Sequence, residues 1–211
     1  MLADPAKSSL VITHRRAVQF DVLLALEKLR AARRPPLAPV LKLDAALFKH
    51  PTRSALAKAA LARPISLNYS QPTRLATILE RLGEAAKVRL VVDWVDVAGA
   101  GWNPAGDAKL LAANQPLSAA LDALLEPLDL TWRVIDGQTI QVVTPARLMG
   151  RGEFELYPVE DLLKGGEGEA LVTRAKTALG ETGFREAGGI GEIRYDADGQ
   201  CLLAWLPQGK Q

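Results

Sequence analysis

A single cysteine, Cys201, and two histidines, His14 and His50, are all that the 211 residues hold of these types. One thiol excludes an internal disulfide framework and any zinc site built on cysteines. Two histidines leave little for a His-rich metal centre. Long apolar runs are missing too. Apolar stretches such as 88–92 (VRLVV) and 119–125 (AALDALL) are interrupted by charge and are the size of a strand and a helix, not of a membrane span. Read from Met1, the first residues carry no apolar signal core, and their basic residues follow the apolar stretch, so no export signal is expected. Charge of either sign is nearly balanced. Lys and Arg number 26 against 24 Asp and Glu, a net +2, which excludes a strong global field for nucleic acid or anionic lipid but leaves room for local patches. What is present is a folding composition: 48% hydrophobic and 24% charged, enough for one large domain or two small ones.

The chain opens with a strand pattern at 9–13 and a helix pattern over 17–33. In the helix Val18, Val22, Leu23, Leu26 and Leu29 recur every three or four residues. Arg30, Arg33 and Arg34 sit where cations suit a helix C-terminus, and the pair Pro35 and Pro36 stops it. With His14, Arg15 and Arg16 they form the one notable charge concentration, read as a solvated helix end. A stiff linker, 35–39, and an Ala-rich helical connector reaching Pro64 come next. Then 65–69 alternates as a strand, and 73–87 carries a helical stripe of Leu75, Ile78, Leu79 and Leu82. A β-branched strand occupies 88–92, and 93–107 reads as a loop rich in turn formers. A short strand at 108–112 precedes a helix opened by Pro116, with Leu117, Leu121, Leu124, Leu125 and Leu128 inward. A hairpin over 131–143, turning at Asp136 and Gly137 with positive φ, closes a β-α-β-β-α-β-β order. Beyond Pro145 come a strand at 153–156, a short helical segment at 158–163 and a helix at 170–179. Strands at 190–195 and 201–206 then flank the Asp198-Gly199 turn.

The central stretch resembles the short N-terminal domain shared by secretins and TonB-dependent transducers. The runs ISLNYSQPTRLATILERLGEAAKVRLVVD and KLLAANQPLSAALDALLEPLDLTWRVIDGQTIQVVTP carry the resemblance. Leu117, Ala120, Leu121, Leu124, Leu125, Leu128, Leu130, Trp132, Ile140 and Val142 hold the family's apolar positions, while Pro72-Thr73 stands where Pro-Leu is usual. The later stretch FELYPVEDLL…GGIGEIRYDADGQCLLAW is similar to the segment C-terminal to this domain in planctomycete secretin-like proteins. There the terminal strand leads into a helix, as in secretin ring-building domains. The resemblance implies an α+β class: small mixed sheets packed with two helices, plus an incomplete ring-building-like α+β module. An internal echo accompanies it, because 4–10 (DPAKSSL) and 196–202 (DADGQCL) share one spacing at an offset of 192 residues (10 against 202). The expected organisation is therefore 1–34, the strand-helix tail of a preceding module; 35–63, linker and connector; 64–145, the secretin/TonB-like domain; and 152–207, the incomplete module. The chain would then be a piece of a tandem array.

No stretch points to catalysis. The acidic pairs Asp93/Asp96 and Glu160/Asp161 lack convergent partners, with Asp93 read as a strand-end turn residue, and no nucleophile-elbow or zincin motif occurs. No enzyme activity, metal, cofactor or small-molecule substrate is expected. His14 and His50 are read as solvated or capping residues, and Cys201, on an alternating strand, as a buried inert thiol. The Gly-rich stretches 165–168 and 188–191 lack phosphate-loop spacing and are read as turns. Trp132 is expected to face the core. Trp94 and Trp102 bracket the glycine-rich loop and are the candidate protein contacts, the alternative being that they cover the open end of the sheet. By resemblance the function is a non-catalytic interaction and assembly module of a secretin-like envelope protein, with protein partners and self-association. A second reading is a signal-transducing domain contacting a membrane regulator. A third is a KH-like nucleic-acid binder, against which Glu167 and Glu169 set negative charge where phosphates would lie. The resemblance places the protein in the periplasm or envelope; the absent export signal leaves the cytoplasm open.

Overall fold

The computed structural model describes residues 2–4, 9–33, 51–163 and 168–211. The linker, His50, Arg34 and the 165–167 glycine stretch lie outside these residues. In chain order the elements are β1 Leu2–Asp4, β2 Ser9–Val11, α1 Arg16–Arg33, α2 Arg53–Leu61, β3 Pro64–Arg74, α3 Leu75–Ala86, β4 Arg89–Val92 and α4 Trp94–Gly99. Then come β5 Asp107–Pro116, α5 Leu117–Leu125, β6 Thr131–Val134, β7 Thr139–Val143, α6 Pro145–Met149, β8 Glu153–Pro158, α7 Gly168–Leu179, β9 Glu192–Asp196 and β10 Cys201–Leu206. The class is α+β, with small sheets and no closed barrel among the described residues. The described residues fall into two compact units: one from 2–4, 9–33, 156–163, 168–178 and 193–204, the other from 51–155, 179–192 and 205–211.

The larger unit is built on two helices and two sheets. β3 and β5 form an antiparallel ribbon, and β4, β7 and β6 a mixed sheet in which β4 runs parallel to β7 and β6 antiparallel. Helix α3 packs on β3, β5 and β4, and α5 on β5, β3 and β6, so the pair of helices bridges both sheets. Their stripes make this possible. Leu75, Ile78, Leu79, Leu82 and Ala86 of α3 and Leu117, Ala120, Leu121, Leu124 and Leu125 of α5 are buried together with Ile65, Leu110, Ile140 and Val142. Alternation along β5 sends Ala108, Leu110 and Ala112 inward and leaves Lys109 and Leu111 outward. Gly83 is dictated by crowding: a Cβ there would stand 2.9 Å from the Val88 carbonyl oxygen. At the end of α3, Lys87 adopts the left-handed conformation (φ 52°) and the Arg63 guanidinium donates to the Ala86 carbonyl.

Besides the short helix α6, which no expectation covered, three local features of this unit differ from the sequence expectation. β3 runs past Tyr69 to Arg74 through a register shift, since Pro72 has no N–H to give the ladder and a bulge absorbs it. The hairpin loop between β6 and β7 spans four residues, 135–138, and neither Asp136 nor Gly137 has positive φ. Instead the Asp136 carboxylate accepts from the Gln138 N–H at 2.8 Å, an Asx-type turn that also holds its pKa below the usual carboxylate range. The third is α4, a helix inside the expected loop.

In the smaller unit β1 and β2 pair antiparallel, with Asp4 opposite Ser9. β8, β10 and β9 form a sheet in that order, and Leu156, Ile193, Cys201, Leu202 and Ala204 are buried there. β1 ends at Asp4 and β2 begins at Ser9, while β9 ends at Asp196 and β10 begins at Cys201. Gln200 closes the turn between β9 and β10 with a left-handed φ of 46°. Cys201 is fully buried, and burial pushes its thiol up to about 11, leaving it protonated and unreactive at neutral pH.

Helix α1 is fastened within this unit by its last residue. Arg33 holds Asp196 side-on through one guanidinium edge, Nε donating at 3.1 Å and Nη2 donating to the other carboxylate oxygen, and the Gly199 N–H donates to the same carboxylate at 2.9 Å. These donors, Arg33 foremost, hold the Asp196 pKa below the ordinary range. The stabilisation is therefore complete above the unfolded Asp value of about 3.9 and is lost as pH falls through the depressed folded value. Thermal melting followed by circular dichroism should show a midpoint that drops below about pH 4, and Asp196→Asn should remove part of that drop.

Candidate protein-contact surface

Asp93, at the end of β4, N-caps α4: its carboxylate accepts from the Asp96 N–H at 3.3 Å while its own N–H reaches the Val142 carbonyl at 3.1 Å. Asp96 then accepts from both the N–H (2.7 Å) and the hydroxyl (3.0 Å) of Thr144, at the far end of β7. The helix is thereby pinned to the mixed sheet. Asp96→Ala should cost about 1–3 kcal/mol, since the half-buried Thr144 N–H loses its partner; urea denaturation would measure it.

Within this frame Trp94 and Trp102 are both half-buried and packed against the core. The Trp102 indole N–H donates to the Leu128 carbonyl at 2.9 Å, and its ring lies over Gly106, where a Cβ would come within 2.9 Å of it. The two rings sit on one short segment, each with one side committed to the interior. The group this segment turns outward is Val95, 89% exposed. Sequence reasoning passed over it because an isolated valine beside a tryptophan has no periodicity to read. Trp132 also packs on the core, its indole N–H donating to Asp122 at 2.7 Å.

A second outward apolar group is Leu111, 65% exposed on the solvent face of the β3–β5 ribbon. Neither strand of that ribbon has a further strand beside it among the described residues. The β6 edge is different. Both the N–H and the carbonyl of Val134 are met by the Gln208 side-chain amide, which takes the place of a neighbouring strand's backbone.

The same unit holds a buried ionic cluster that no motif announced. Glu153 is 6% exposed and receives Arg133, Arg53 and the Gln208 amide (2.7 Å), with Arg151 at 3.4 Å. Glu155, nearly fully buried, accepts from the Arg53 N–H at 3.2 Å, and Arg133 also donates to Gln141 at 2.8 Å. Burial holds the Arg133 guanidinium below its ordinary value, with Glu153 opposing the shift. Every strong donor here is directed at a carboxylate or an amide, an arrangement that fixes structure.

Among the described residues no three His, Cys, Asp or Glu side chains gather to hold a metal ion, and no helix is long and apolar enough to cross a membrane. Exposed His14 accepts from the Arg15 N–H through Nδ1 at 2.9 Å. Gly188 sits in a turn at φ 86°. Fold and surface together define an α+β module with outward apolar groups and open sheet edges. No protein-family model and no curated protein matches the chain. Among solved structures it is similar to the crystal structure of the enterotoxigenic Escherichia coli GspC–GspD complex from the type II secretion system. The two share 13% sequence identity over 70% of this chain and 90% of that one, with a TM-score of 0.27.

Proposed function

We propose that the chain is a non-catalytic protein–protein interaction and assembly module of a secretin-like envelope protein. The observation that supports this reading is the β3–β5 ribbon: one face is committed to the core, and the other is open and carries Leu111. An open edge offers main-chain hydrogen bonds to an incoming strand, and an exposed leucine beside it supplies apolar selectivity. Trp94 and Trp102 then serve as a rigid backing for Val95, a second contact point on the same unit. Such a module needs no cofactor and works by stacking copies or seating a partner. Light scattering after size-exclusion chromatography should show a mass that rises with concentration, and Leu111→Glu should weaken that association about tenfold or more, as a charge placed in an apolar contact does. A chain that stays monomeric throughout, or a variant that associates equally well, would count against the reading. A salt-sensitive gel shift with RNA would turn attention to the KH-like alternative.

A further inference from the structure

The segments 143–152 and 203–211 contain Arg147, Arg151 and Lys210 and not one Asp or Glu, in a chain whose net charge is only +2. The fold lays 145–152 and 205–209 side by side. A Cβ on Gly152 would run into the Trp205 ring, and one on Gly209 would stand 3.2 Å from the Met149 sulfur. The outward side chains on these two segments are Trp205 and Met149, both 42% exposed, with Arg147 and Arg151 at least half exposed. Tryptophan, arginine and methionine are the residue types enriched in contact surfaces.

The charge on this surface is not cancelled from beneath. Glu153, the carboxylate under Arg151, is buried and already held by Arg133, Arg53 and Gln208, so at 3.4 Å it is a weak partner for Arg151. Arg147 reaches Asp93 only at 4.0 Å. Both guanidinium groups therefore keep outward donors, and each is a planar fork suited to a carboxylate. The backing is also rigid. Thr144 caps α6 through the Arg147 N–H at 3.1 Å, and Lys210 is tied to the Leu179 carbonyl at 3.1 Å.

We infer that Arg147, Arg151, Met149 and Trp205 form a docking surface for an acidic peptide segment carrying an apolar side chain. The carboxylates would pair with the two arginines and the apolar group would lie on Met149 and Trp205. This surface adds a partner chemistry to the proposed interaction role and uses different residues from the β3–β5 ribbon, so the two fail separately. The test is fluorescence anisotropy of a labelled synthetic peptide, Glu-Glu-Leu-Glu-Phe-Glu, titrated with the full chain at about 50 mM salt, where screening of exposed charges is modest. Binding should weaken at least tenfold in the double variant Arg147→Glu, Arg151→Glu, weaken by less in the double Lys variant, which keeps the charge and loses the planar fork, and be absent for the peptide with Lys in place of Glu. Should the double reversal fail to fold, Arg147→Glu alone, at the residue with the weakest internal contact, carries the comparison. Equal binding of the acidic and basic peptides, no binding to the wild-type chain, or binding indifferent to reversal would each overturn the proposal. Concentration-dependent self-association alongside any of these would leave the assembly reading standing.

Discussion

Glu153→Ala is expected to lower the unfolding free energy by about 3–5 kcal/mol, the usual result of removing one partner from a buried ion pair. The physical reason is what remains behind. Arg133 is 8% exposed and would keep only the Gln141 amide oxygen, a neutral acceptor, for a guanidinium that burial already disfavours. Arg53 would fare better because Glu155 stays within 3.7 Å. The Gln208 amide would lose one of its two acceptors. Folded domains hold only about 5–15 kcal/mol in total, so the loss is a large fraction and should appear as a lower urea midpoint with an unchanged slope. The decisive companion is Glu153→Leu combined with Arg133→Met. If the cost of the single change is the unpaired charge, the double variant should recover most of the stability, because an apolar pair of similar volume often replaces a buried ion pair without loss. A double variant as unstable as Glu153→Ala would show that the cluster contributes by pairing, not merely by avoiding an orphan charge.

Leu121→Ala should cost about 2–5 kcal/mol, the range for emptying a buried leucine site. Leu121 is fully buried on α5, and α5 touches both the β3–β5 ribbon and β6 of the mixed sheet. The cavity would therefore open where the two sheets meet the same helix. Tyr69 on the ribbon and Trp132 on β6 both pack on this core, and their side-chain NMR signals report the two sheets separately. Their transitions should shift together in the variant, since neither sheet has a core of its own. Two separated transitions would mean that the sheets fold as independent pieces.

These two sites differ in how far the sequence discloses them. The stripe containing Leu121 is legible because helical burial repeats every three or four residues, and the same rule exposes Leu75, Ile78 and Leu82. The strand at 201–206 is legible from the Asp198-Gly199 turn signal before it, and β10 runs from Cys201 to Leu206 as expected. The Glu153 cluster obeys no such rule. Its partners lie 20 residues away at Arg133 and 100 away at Arg53, and pairing across such separations leaves no period in the chain. Helix α4 is hidden for another reason: six residues amid Gly99, Gly101, Pro104 and Gly106 are outvoted by turn formers, the Asp93 N-cap is its one local signal, and the Asp96–Thr144 contacts that pin it are tertiary. Helix α6 after Pro145 escapes likewise, though Thr144 before a proline is a capping signal that could have found it. For the candidate contact surface, Trp94 and Trp102 mark the segment in the sequence, while the exposure of Val95 becomes visible only once backbone geometry shows which side chain faces out.

The Gln208 amide has a consequence of another kind. A mixed sheet with an uncovered β6 edge would present Val134's N–H and carbonyl, beside apolar residues such as Trp132, as a template for indiscriminate pairing with other chains. One side-chain amide occupies both groups at once. The unit thus shields one sheet edge from strand pairing with a single glutamine while the ribbon's edges stay open.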